Sequence, residues 1–242
     1  MHTHQWGSQP EMFGPRHEYR LSLFTRETQK LPRGSRVLDA AVGLGQLASK
    51  LAAQGHKPFG LDSSIEAATY VRSQGIPVVL GDMTRLPFRS GVFTAMTSGE
   101  TLEHLDDDVT AAAEIHRVLQ PDGRCIVTVP ALQILWNKSD DYYEHRRRYS
   151  RKQLTRLFNL FPSVRAKYWG FPLVLIYDTI FLLPMNLRRS RKDPAADAPL
   201  RGLARAARSR LLVNGVKAVF NVDRLFSFIP FGPGLLLVAR KG

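Results

Sequence analysis

Two short runs in the chain concentrate side chains able to move protons or hold cations. Glu100-Thr101-Leu102-Glu103-His104 offers two carboxylates and an imidazole within one turn's reach. That donor set suits Mg²⁺, Mn²⁺ or Zn²⁺, any of which would orient and acidify a hydroxyl. Without a metal, His104 alone is a candidate general base, because imidazole is the commonest side chain in that role. The second run is Asp140-Asp141-Tyr142-Tyr143-Glu144-His145-Arg146-Arg147-Arg148-Tyr149. Its aromatics and arginines can clamp an anionic, hydroxylated ligand, with His145 as a second candidate base. The competing readings are structural: His104 would cap or pack the next helix, and residues 140–149 would be a solvated charge run.

The elements that must position these runs alternate between strand and helix. Arg36–Val42 is an apolar run entering the turn Gly43-Leu44-Gly45, and helical spacing follows over Gln46–Gln54. Lys57–Leu61 is a second strand ending at Asp62, after which Ser63 and Glu66 have the spacing of a capping box. Ile76–Leu80 and Val92–Thr97 are further strands, and Asp106–Asp108 suit the start of the next helix. Pro121-Asp122-Gly123 turns into a fifth strand, Arg124–Val129, and Ser150 with Gln153 caps a helix over 150–159. Ser163–Trp169 and Gly234–Arg240 read as two closing strands. Strands separated by helices predict an α/β fold, a parallel sheet with helices on both faces. The turns named above share the carboxyl edge, where such sheets bind ligands.

Gly43-Leu44-Gly45-Gln46-Leu47-Ala48 fits a dinucleotide-type fingerprint, but Asp39 stands at the strand end just before it. A carboxylate there repels a pyrophosphate and welcomes a cationic ligand. The run Val37-Leu38-Asp39-Ala40-Ala41-Val42-Gly43-Leu44-Gly45 resembles the first motif of class I S-adenosylmethionine-dependent methyltransferases, whose ligand carries a sulfonium and an ammonium. Ala41 departs from the family's usual glycine. Further resemblances follow in order: Asp62 at the second strand's end, Gly81-Asp82-Met83 after the third, and His116-Arg117-Val118-Leu119-Gln120-Pro121-Asp122-Gly123 before the fifth, with Asp122 replacing a glycine. The resemblance implies a doubly wound, Rossmann-like, mostly parallel seven-stranded sheet with a helical insertion between its last two strands. It also implies cofactor contacts at Asp39, Ala41, Gly43, Gly45, Asp62, Ser63, Asp82, Met83 and Ser98. In the family, the second acid accepts the ribose hydroxyls and the third accepts from the adenine amine. The spacing E-x-x-E-H is similar to that of the ubiquinone-biosynthesis O-methyltransferases, where Glu100, Glu103 and His104 would be the metal ligands. Relatives with Leu-Glu-His here that need no metal are common.

Composition sets the remaining expectations. The 242 residues carry a formal net charge of +13, divided as −2 over residues 1–141 and +15 over 142–242. Such asymmetry points to a local surface meeting something anionic. A single cysteine, Cys125, excludes an internal disulfide or a Cys-based zinc site, and no basic-then-apolar leader is recognisable at the N-terminus, so the reading is cytoplasmic. Phe171–Met185 is strongly apolar but too short to span a bilayer, and Arg188, Arg189, Arg191 and Lys192 follow it. That pattern fits a membrane-surface element on the cytoplasmic face or a site for a lipid-like substrate; a buried or subunit-facing helix is the alternative. Lys192–Pro199 reads as a linker, and Leu200–Leu225 as a basic amphipathic helix. The expected organisation is one domain over 1–242, with an N-terminal helical extension (1–30), a substrate-covering segment (131–160) and the apolar and basic insertion (170–233). The expected activity is methyl transfer to a small-molecule or lipid-linked acceptor, at oxygen. Two other readings stay open: an RNA methyltransferase, disfavoured because the basic region is interleaved with aliphatics rather than stacking aromatics, and a non-enzymatic membrane-surface or nucleic-acid binding module.

Overall fold

In the computed structural model, residues 14–182 and 209–242 are described. Seven strands form one sheet: β1 (Arg36–Ala40), β2 (Lys57–Asp62), β3 (Val78–Leu80), β4 (Phe93–Gly99), β5 (Leu119–Pro130), β6 (Ser163–Trp169) and β7 (Gly234–Arg240). Their order is β3-β2-β1-β4-β5-β7-β6. The first five are parallel, and β7 runs antiparallel between β5 and β6. The expected α/β architecture is therefore present, with helical segments between β6 and β7. Chain order reverses between β1 and β4, so the crevice beyond their carboxyl ends is the natural ligand position.

Helices cover both faces because the strands are apolar on both. On one side, α1 (Pro15–Thr28) and α2 (Gln46–Ala53) bury Leu21, Phe24, Leu47 and Leu51 against Val37, Ala95 and Ile126. On the other, α4 (Asp108–Val118) and α6 (Arg151–Leu157) bury Ile115, Val118 and Leu154 against Met96, Cys125 and Val127, where Cys125 is wholly enclosed. α3 (Ile65–Ser73) completes the β2–β3 end through Ala68 and Val71.

Several boundaries differ from the sequence reading. Ser64, not Ser63, caps α3: its side chain accepts from Ala67 N, while Asp62 Oδ1 accepts from Ser64 N and holds it in an extended conformation. β3 begins at Val78 rather than Ile76. β5 pairs from Leu119, two residues before the Pro121-Asp122-Gly123 turn, and its register with β4 shifts there. The capping box at Ser150 and Gln153 is formed as expected. Ala41 (φ 59°) and Asp122 (φ 63°), the two positions where the family has glycine, both adopt the left-handed conformation that glycine takes without steric cost.

Within Phe171–Met185, α7 (Leu173–Tyr177) runs on as a π-helical turn, Asp178–Leu182; residues 183–185 lie outside the described residues. So do Lys192–Pro199, the Arg188–Lys192 cluster and the first part of Leu200–Leu225. The described part of that last run is α8 (Arg210–Phe220) followed by a 3-10 turn, Asn221–Phe226. Tyr19, Leu23, Trp169, Val174 and Phe220 form the small core that fastens these helices to α1 and β6. Asp223 ties the insertion's two arms together, its carboxylate accepting from Leu173 N at 2.8 Å and Val174 N at 3.0 Å. Asp223→Ala leaves those buried donors unmatched and is expected to cost about 1–3 kcal/mol, read as a lower thermal midpoint.

Candidate active site

The turn that joins β1 to α2 shapes one end of a cavity of about 750 Å³. Gly43 (φ 53°) and Gly45 (φ 71°) bend the chain with positive φ, and a Cβ on Gly45 would press on Val71 at 3.0 Å. Asp62, at the end of β2, accepts from Gly43 N at 2.9 Å and Ser64 N at 2.9 Å, so it braces the turn from the neighbouring strand. Burial pushes the Asp62 carboxyl upward despite those bonds. Asp39 lies opposite Thr97 on β4 and accepts its hydroxyl at 2.9 Å. Burial, offset in part by that bond and reinforced by Asp62, pushes Asp39 up to about 8. Asp39, Ala41, Gly43, Asp62 and Ser63 all line the cavity. Asp82, Met83 and Ser98 do not appear on its wall: Asp82 is exposed and binds Thr84, and Met83 is buried against Ser98.

Residues after β4 and β5 line the same cavity. Glu100 takes φ 54°, and a 3-10 turn, Leu102–His104, follows. The 145–149 segment is stitched onto this turn. Arg146 N donates to Glu103 O at 2.8 Å, Arg147 pairs with Asp108 at 2.8 Å, and the Tyr149 hydroxyl donates to Asp108 at 2.7 Å. Burial and the Asp108 carboxylate raise the Tyr149 phenol, so it stays a donor. Asp140, capped with Asn137 in α5 (Lys138–Tyr142), is the hub. Its carboxylate receives Arg148 through Nε at 2.8 Å and Nη2 at 2.9 Å, and His145 Nδ1 at 2.8 Å. Burial alone would raise Asp140, but the bonds from His145 and Arg148 outweigh it and hold the carboxyl below the usual range. An ionised Asp140 keeps the proton on Nδ1, which leaves Nε2 as the basic nitrogen.

His145 Nε2 lies 4.0 Å from Glu103 Oε1, and the His104 and His145 rings meet edge to face at 4.8 Å. Of the metal set expected from sequence, Glu103 and His104 gather with His145, their ligand atoms all within 4.8 Å. Glu100 turns away to Arg20 at 3.7 Å. Glu103 is wholly buried with both oxygens lacking hydrogen-bond partners, and burial beside Glu100 pushes it well above the usual carboxylate range. A protonated Glu103 offers a cation little charge, so turnover is expected to survive chelation; activity lost to EDTA and regained with Mn²⁺ would assign the cluster to a metal.

The third wall comes from α1 and the insertion. Arg16 pairs with half-buried Asp178 at 3.0 Å and lies over the Trp169 ring at 5.3 Å. His17 bonds Gln46 and Arg20, and burial together with Arg20 lowers it to about 3, so it stays neutral. These contributions were missed in the sequence, although Pro15 opening a helix with Arg16, His17 and Arg20 on neighbouring faces was a usable signal.

Comparison with known proteins agrees with this geometry. Residues 38–127 match the methyltransferase domain family. Over those residues the chain carries that family's methyltransferase domain. It is 36% identical over 103 residues to a demethylmenaquinone methyltransferase of Mycolicibacterium vanbaalenii, covering 43% of this chain and 45% of the relative. It is 32% identical over 123 residues to the ubiquinone/menaquinone biosynthesis C-methyltransferase UbiE of Desulfotalea psychrophila, covering 47% and 50%. The chain's match thus spans about half the length of these relatives. In structure it resembles phosphoethanolamine N-methyltransferase 2 of Haemonchus contortus in complex with S-adenosyl-L-methionine, with TM-score 0.62, 16% identity, and 92% of this chain against 52% of that one. The [4+2]-cyclase SpnF gives TM-score 0.59 at 20% identity, covering 98% and 85%, which shows the methyltransferase fold serving another reaction. The residues present fit the family's cofactor. A buried carboxylate that a cation would ionise, Asp39, and a second acid, Asp62, both face the cavity beside a turn of left-handed backbone.

Proposed function

We propose that the protein transfers a methyl group from S-adenosylmethionine to a small, lipid-like acceptor bearing an acidic hydroxyl, at that oxygen. The observation that carries this reading is one cavity lined both by Asp39 and Asp62 and by His145, which Asp140 holds. When bound, S-adenosylmethionine supplies a methyl on a sulfonium, ready for in-line displacement. Asp39 would face the cationic part, and Asp62 would exchange a backbone donor for the ribose hydroxyls. His145 Nε2 would take the acceptor's hydroxyl proton as the C–O bond forms and the C–S bond breaks. Arg148, fixed on Asp140, and Arg146 border the same space and suit an anionic or quinol-like acceptor.

The names of the relatives favour a second outcome: a phenolate is nucleophilic at its ring carbon as well as its oxygen, and the same base serves both. The test supplies methyl-labelled S-adenosylmethionine with hydroxylated quinol acceptors and locates the label by NMR. Label on oxygen supports the proposal, and label on carbon keeps the enzyme while moving the acceptor atom. No transfer to any hydroxylated acceptor, with cofactor bound, overturns the acceptor class.

A further inference from the structure

From Leu211 on, helix α8 carries its polar residues Asn214 and Lys217 on one stripe and is apolar over the rest of its surface. Val213 and Phe220 are buried facing the fold, whereas Leu211, Gly215, Ala218 and Val219 lie outward, with Leu211 84% and Val219 54% exposed. At 100° per residue, Leu211, Gly215 and Ala218 share one outward stripe that runs on to exposed Val222. Leu225 (73%), within the 3-10 turn, and Phe228 (79%), just past it, extend the apolar surface. The other arm repeats the pattern: Leu175, Asp178, Thr179 and Leu182 line the cavity, while Ile176, Ile180 and Phe181 of the same run are exposed. Contiguous exposed apolar surface on the side away from the core marks an interaction site.

The charge says what covers it. Residues 170–233 hold ten Lys+Arg against four Asp+Glu. Two of those acids are spent inside the fold, Asp178 on Arg16 and Asp223 on the amides of α7. In sequence the segment therefore keeps ten cations against two remaining acids, in the same stretch as the exposed leucines and phenylalanine. Among the described residues no helix is long and apolar enough to cross a membrane. We propose that the outer face of this insertion docks peripherally on an anionic lipid surface, with Leu211, Leu225 and Phe228 entering the acyl boundary. Cations near headgroups then add to apolar insertion, each by a factor of about five. The same helical run would separate the lipid from the cavity, a short path for a lipophilic acceptor.

The experiment is co-sedimentation of the full chain with phosphatidylglycerol-containing vesicles and with pure phosphatidylcholine vesicles. The wild type is expected to pellet with the anionic vesicles at low salt and to lose at least about tenfold in binding at high salt. Leu211→Glu, Leu225→Glu and Phe228→Glu together are expected to lose at least about tenfold at low salt. S-adenosylmethionine affinity, measured on the same samples, is expected to be unchanged; this confirms folding and separates the result from the methyltransferase reading. A wild type that ignores anionic vesicles overturns the proposal. So does a triple variant that binds them undiminished, or one whose only change is conversion of a stable oligomer to a monomer, which would make the face a subunit interface.

Discussion

Replacing His145 with alanine is expected to lower turnover by about two to four orders of magnitude while leaving affinity for S-adenosylmethionine nearly unchanged, since that is the range a positioned general base supplies. The size of the effect follows from how completely the imidazole is fixed. Asp140 holds Nδ1 at 2.8 Å and is itself pinned by two donors on one edge of the Arg148 guanidinium. The backbone of the next residue is tied to Glu103. One tautomer and one orientation remain, with Nε2 on the Glu103 side of a ring that lines the cavity. Asp140→Asn tests the positioning role separately. It should lower kcat with little change in KM, and it should shift the pH profile of kcat, because the imidazolium loses its anion. A merely structural Asp140 would instead lower stability and cofactor affinity together. Turnover by His145→Ala at the wild-type rate, or a parallel loss of cofactor binding, would remove His145 from the chemistry.

The sheet was legible in the sequence because its signals are local: an apolar run, a punctuating acid or glycine, then helical spacing. Both closing strands, Ser163–Trp169 and Gly234–Arg240, have the bounds read from their residues. The cofactor turn was legible for the same reason. What was not legible depends on chain crossings. Asp178 looked like an interruption in an apolar run, because its partner Arg16 lies 162 residues away. Glu100 looked like a ligand beside Glu103 and His104, but its positive φ turns it toward α1, and His145 arrives from a different loop to take its place. The cap of α3 slipped by one residue because Asp62 competes for the amide of Ser64. Cavity walls contributed by α1 follow the same rule: the helix was readable, while its arrival beside Gln46 and Glu100 was a property of the closed fold.

Affinity for S-adenosylmethionine is expected to rise about tenfold per pH unit between roughly pH 5.5 and 7, through linkage to Asp39. In the free protein, burial holds this carboxyl up to about 8, whereas in the unfolded chain it titrates near the usual ~4. The sign for stability follows. The folded state favours the protonated acid, so the Asp39 contribution is full below about pH 4 and is lost as pH rises toward 8. A bound cation reverses the preference, ionising Asp39 and releasing its proton. At pH 6.5, calorimetry in buffers of different ionisation enthalpy should therefore report about one proton released per ligand. The chosen window keeps the ligand's own α-amino group protonated, since such groups titrate near ~7.7–8.0. His17, lowered to about 3, is neutral throughout and adds no slope. Asp62 is raised by burial in the same direction. Asp39→Asn should bind more weakly at pH 7 and with a flatter pH dependence. Without ligand at that pH, the variant should be more stable, because Asn does not titrate and so escapes the cost that linkage imposes on Asp39 above the usual carboxylate range. The destabilising carboxylate is thus held in the free fold because the ligand's charge compensates it. A wild type whose affinity is flat over this window, or an Asn variant with the same slope, would place the cofactor's charge elsewhere.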